Sequence, residues 1–151
     1  MLHRLLLGGL LLTLVSSCGD DSEEPAAPPR CIEPPSVECD PAYPPRFERI
    51  FSETLERGCS QTNSCHSADG RQGGLSFTDL DESYALLLGE VDGKARVIAN
   101  DAACSELIVR THGVGKAWQM PPGSALRSGE LCALRQWIQN GAEPPPDPEP
   151  Q

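Results

Sequence analysis

The sequence predicts a mainly α fold: one small domain of three to four short helices with long loops, disulfide-stapled and flanked by disordered tails. Three observations carry this. Apolar residues recur at helical spacing only in short runs between positions 46 and 142. Proline and acids dominate on both sides of that stretch. Six cysteines lie at or beyond position 31, which is dense for so short a core.

The first helix is predicted over residues 46–58, where Phe47, Ile50, Phe51 and Leu55 share a face and Gly58 closes the run ahead of Cys59. Gly73-Gly74-Leu75-Ser76-Phe77 reads as a turn followed by a short extended piece. Residues 83–89 form a short helix opened by Asp81 or Ser83. Val97-Ile98 is extended, and residues 104–110 make one or two helical turns with Asp101 as cap. In the last helix Ser128 caps, Glu130 sits in the first turn, Leu131, Leu134 and Ile138 line one face, and Gly141 ends it. Connections this long in a small domain point to function or cross-links.

The amino terminus reads as a secretory signal over residues 1–17: basic His3 and Arg4, the apolar run Leu5–Val15, then small residues. That run falls well short of the ~20 residues needed to span a bilayer. Val15-Ser16-Ser17-Cys18 has the form of a bacterial lipobox, so Cys18 is expected to carry lipid and hold the protein on an envelope membrane, facing the periplasm or exterior. Residues 18–45 then form a Pro/acid-rich tether, 46–142 the domain, and 143–151 a disordered Pro-rich tail.

Losing residues 1–17 removes Arg4 and no acid, taking the net charge from −10 to −11. A chain this acidic has no basic patch for phosphates, which excludes a nucleic-acid partner and suits solubility. No Ser/His/Asp set, phosphate loop, nucleotide fingerprint or calcium loop is present, so no catalytic residue is expected and an enzyme is not indicated.

Apart from Cys18, the cysteines are Cys31, Cys39, Cys59, Cys65, Cys104 and Cys132. In an oxidising compartment disulfides are the default. Cys31 and Cys39 flank a proline-rich turn and are expected to close on each other. Cys104 and Cys132, each in the first turn of a predicted helix, are expected to pair across a 27-residue gap. Cys59 and Cys65 are left, five residues apart and followed by His66. These three residues admit a haem attachment site, a short-loop disulfide, or a metal site. Zinc would need four convergent ligands, and adjacent Cys65-His66 is poor geometry for it even with His112 added.

The order of motifs favours the first. Cys65-His66 is followed by Gly73-Gly74-Leu75, Tyr84-Ala-Leu-Leu-Leu-Gly89, Cys104-Ser105-Glu106-Leu107, Met120-Pro121-Pro122-Gly123 and Trp137-Ile138-Gln-Asn-Gly141-Ala142. This succession, over about residues 46–142, resembles the small cytochrome c-like domains of exported bacterial proteins of planctomycetes and myxobacteria. The resemblance implies thioether attachment of haem c at Cys59 and Cys65, His66 as proximal iron ligand and Met120 as distal ligand. It also implies an electron carrier serving a redox partner protein, with membrane lipid at Cys18. His112 reads as a solvent-facing loop histidine, or as the distal ligand if Met120 does not serve, and Trp118 and Trp137 read as core or haem-edge packing. The family's site has two residues between its cysteines. Here there are five, so Ser60-Gln61-Thr62-Asn63-Ser64 must bulge out as a loop. The second reading is a haem-free, disulfide-stapled structural or binding lipoprotein that keeps the cytochrome shape.

Overall fold

A computed structural model describes residues 26–33, 35–61, 63, 65–91 and 93–147. The signal, Cys18 and residues 148–151 lie outside them. The fold is mainly helical. The first helix runs on from Phe47–Ile50 through a π-helical Phe51–Leu55 to Glu56–Cys59, and the three pieces together are α1. The sequence reading ended this helix at Gly58, but the backbone continues through it to Cys59. Phe51, Thr54 and Leu55 are all buried on this π-helical piece.

A 3₁₀ turn at Gln72–Gly74 leads into extended Leu75. Helix α2, Leu80–Leu87, is capped by Asp79, whose carboxylate accepts from Glu82 N–H, two residues earlier than the expected Asp81. Strands β1, Glu90–Val91, and β2, Lys94–Ala95, form a two-stranded antiparallel pair. Helix α3 spans Glu106–His112. Asp101 caps the turn before it by accepting from Cys104 N–H. Buried Ser105 accepts from Ile98 N–H and donates to Asp101 O, which fastens the start of α3 to the Val97-Ile98 segment. Helix α4 is Ser128–Gln139. Arg127 rather than Ser128 holds the cap position, and Glu130 closes the turn by accepting from Arg127 N–H at 2.9 Å. Gly141, at φ 103°, makes the left-handed exit that the sequence assigns to it.

Helices α1 and α3 both pack on α4. The core joins Phe47, Ile50, Leu87, Ile108, Leu134, Trp137 and Ile138, all 1 % exposed or less. Phe47 touches Trp137 and Tyr84 at 5.1 and 5.2 Å between ring centroids. Trp137 Nε1 donates to Glu143 O and Tyr84 Oη to Ala142 O, so the first residues of the carboxy-terminal tail close over this end of the core. No helix among the described residues is long and apolar enough to cross a membrane.

The cysteine pairing corrects the sequence expectation. The bridges are Cys31–Cys104 and Cys39–Cys132, not Cys31 with Cys39 and Cys104 with Cys132. The cause is the course of the proline-rich segment. It lies along the domain instead of turning back on itself, with Ile32 N–H donating to Ala103 O and Ala42 N–H to Gly129 O, each at 3.0 Å. Tyr43 is buried and bonded to Thr54 of the π turn. Residues 31–45, read from sequence as part of the tether, are thus fastened to the domain. Proline withdraws backbone donors but leaves Ile32 and Ala42 free to dock, and the cysteines lock that docking.

Candidate functional site

Four residues singled out by the sequence, Cys59, Cys65, His66 and Met120, line one cleft of about 520 Å³. A volume in this range suits a small-molecule or cofactor ligand. Its wall is mostly apolar, with Leu55, Leu75, Phe77, Leu87, Leu107 and Leu134 prominent.

The Cys59–His66 loop is closed at its neck. His66 N–H donates to Cys59 O at 3.1 Å, and Phe77 N–H donates to His66 O at 2.8 Å. The first bond draws the ends of the loop together, so both cysteines reach the cleft although five residues separate them. The second ties His66 to the extended Leu75-Ser76-Phe77 piece, and the two rings lie 5.2 Å apart. Gln72 N–H donates to Cys65 O, and Gly70 lies so near residues 63–65 that a Cβ there would sit 2.8 Å from Asn63 O.

Cys59 and Cys65 are thiols. Burial is the main force raising the Cys59 pKa to about 11, with the Cys65 thiol and the Glu130 carboxylate adding to it. At neutral pH Cys59 is therefore protonated and a poor metal thiolate, although it keeps the S–H needed to form a thioether. Burial also lowers the His66 pKa. The backbone of Gln72 and Leu75 pulls it partly back up, yet neither makes a hydrogen bond to Nδ1. The ring is held neutral near pH 7, the form that binds iron.

Met120 stands on a loop fixed at several points. Its N–H donates to Arg110 O at the end of α3, and the Met120–Pro121 peptide is cis. Buried Gln119 accepts from Gly115 N–H and donates to Pro121 O and Ser124 O. Sequence reading passed over Gln119, since one amide carries no motif. His112, the substitute distal ligand, is exposed. Its Nδ1 lies 3.1 Å from Arg135 Nη2, and it is not on the cleft wall, which removes it from that role. Trp137 is core. Trp118 covers Gly113 and lies off the cleft wall.

Charged groups on the wall were also missed. Arg96 donates to Leu86 O at 2.8 Å and to Gly73 O at 2.6 Å. Glu106 pairs with Arg110 at 2.7 Å. Among the described residues four buried side-chain polar atoms lack a hydrogen-bond partner: His66 Nδ1, Arg96 Nε, Glu106 Oε2 and Arg135 Nε. The first three belong to residues of this one cleft. Native interiors leave few such atoms, and these three are enclosed by protein behind the cleft surface.

Among the described residues no three His, Cys, Asp or Glu side chains converge to hold a bare ion. A metal already held in a macrocycle needs less: one imidazole and one thioether complete it. The donor set and the apolar wall fit a haem.

No curated protein and no solved structure matches the chain. Residues 63–124 match the family model described as Planctomycete cytochrome C. That span takes in Cys65, His66 and Met120 and begins after Cys59, so the inner part of this domain, from Cys65-His66 to the methionine loop, is cytochrome c-like.

Proposed function

We propose that the chain is a membrane-anchored c-type cytochrome-like electron carrier holding one covalent haem. The observation that carries this is the meeting of Cys59, Cys65, His66 and Met120 on one apolar cleft. Bound haem would supply a centre that stores one electron. Cys59 and Cys65 would fasten it, and neutral His66 and the Met120 thioether would hold its iron, the thioether raising the potential relative to a nitrogen ligand. Arg96 places a positive charge on the cleft wall, held there by the carbonyls of Leu86 and Gly73. The leucine wall excludes water, which limits reorganisation when charge changes.

The test is protein made alongside a c-haem maturation system. A haem-stained gel and a pyridine haemochrome spectrum are expected to show one covalent haem per chain. Mass spectrometry of unreduced protein is expected to find Cys59 and Cys65 haem-modified. A Cys59–Cys65 cross-link with no haem would leave a stapled structural or binding lipoprotein instead. In loaded protein, Met120→Ala is expected to shift the visible spectrum and lower the potential with the fold retained. An unchanged spectrum would take Met120 off the iron.

The partner is a redox protein of the envelope, and the anchor is a lipid on Cys18. Cys18→Ser is expected to move the protein from membrane to soluble fractions. A membrane-bound Cys18→Ser protein would end the lipid reading.

A further inference from the structure

Glu106 is the least expected side chain on the cleft wall. It opens α3, is 5 % exposed, and lines the cleft with Leu107, Arg110 and Thr111. Its Oε1 accepts from Arg110 Nε at 2.7 Å, while Oε2 is buried with no partner among the described residues. A carboxylate oxygen left bare in an apolar wall costs ~1–3 kcal/mol or more. Glutamine could meet Arg110 through its amide oxygen without burying a charge, so the charge itself calls for a use.

We propose that Glu106 is a built-in negative charge that favours the oxidised state of the cofactor. This rests on the haem reading above. The oxidised centre carries one more positive charge than the reduced one, and a fixed anion in a low-dielectric wall attracts the more positive form more strongly. Arg110 opposes this only in part. Its side chain is 30 % exposed against 6 % for Glu106, so water screens the guanidinium more than the carboxylate. Arg96, the other cation on the wall, is drawn toward the carbonyls of Leu86 and Gly73. Glu106 thus tempers the high potential that a methionine ligand would otherwise set.

The test uses full-length chain loaded with covalent haem and a spectroelectrochemical midpoint titration. Glu106→Gln is expected to shift the oxidised-to-reduced ratio about tenfold toward reduced, a rise of ~59 mV for one electron. Glu106→Asp, which keeps the charge, is expected to stay nearer the unsubstituted protein than Gln does. Arg110→Gln, which strips the carboxylate of its counter-charge, is expected to lower the midpoint. Opposite signs for Glu106→Gln and Arg110→Gln support the assignment. Equal signs, or no movement, overturn it, as does an Asp variant that departs further than Gln. If Glu106→Gln protein does not accumulate loaded, Arg110→Gln decides: a fall supports the assignment, and a rise or no change overturns it. Unsubstituted chain that takes up no covalent haem sinks the cofactor reading and this one together. Loaded protein with an unmoved midpoint sinks only the role of Glu106.

Discussion

Replacing Cys39 and Cys132 together by serine is expected to destabilise the domain by about 3–5 kcal/mol, the scale for a bridge closing so long a loop. The two residues are 93 apart in sequence, and the bond joins the proline-rich segment to the first turn of α4. Two effects combine. Without the bond the unfolded chain gains the freedom of a long open loop. The folded chain loses the clamp that keeps Tyr43 against Thr54 and Ala42 against Gly129. Small domains commonly have only 5–15 kcal/mol in hand, so the variant should unfold at far lower denaturant and sit near its midpoint on modest warming. Cys31–Cys104 closes an overlapping loop of 73 residues, so removing both bridges should cost less than the sum of the two. Urea unfolding followed by tryptophan fluorescence reads this directly through buried Trp137. A loss below about 1 kcal/mol would mean that the docked segment holds without its bond.

That docking also explains what the sequence could and could not reveal. Helices α1 and α4 were legible because Phe47, Ile50, Phe51 and Leu55, and Leu134 and Ile138, carry the helical period into a shared core. Cys65-His66 and Met120 stood out in the sequence by their side-chain chemistry, and they lie together on one cleft within the span of the family match. The disulfide partners were not. Cysteine parity allows several connectivities, and nearness in sequence misled, because a stiff proline-rich segment travels along the surface more readily than it doubles back. Arg96, Glu106 and Gln119 were also hidden. Arg96 matters through a contact to Gly73, 23 residues away, while the Glu106–Arg110 and Gln119–Ser124 contacts are local and gain their meaning only from the cleft beside them. The extension of α1 through Gly58 went unseen for a different reason. Glycine often ends helices, and only the docking of Cys59 on the cleft keeps this one going.

The contrast between Gly58 and Gly70 gives the second large effect. Both flank the Cys59–His66 loop, and in sequence both read as punctuation. A Cβ on Gly58 would meet nothing within 4 Å. The residue is helical, so Gly58→Ala should stabilise α1 by about 0.5–1 kcal/mol and leave haem attachment intact. A Cβ on Gly70 would lie 2.8 Å from Asn63 O and 2.9 Å from Cys65 N, and closer still to Cys65 O. All three are backbone atoms and cannot swing aside as a side-chain tip would. Gly70→Ala must therefore push residues 63–65 outward, which strains the Gln72–Cys65 and His66–Cys59 hydrogen bonds and moves the imidazole off the cleft wall. Overpacking of this kind costs about 1–3 kcal/mol, and the displacement falls on two residues of the proposed haem site. Gly70→Ala is expected to keep both disulfides in unreduced mass spectra, to unfold at lower urea, and to lose most of its covalent haem by gel stain. Gly58→Ala, made in parallel, should match or exceed the unsubstituted chain in both assays. Full haem loading of Gly70→Ala would show that the Cys65-His66 backbone is not what positions the site, and the neck of the loop at Cys59 O would have to hold His66 alone.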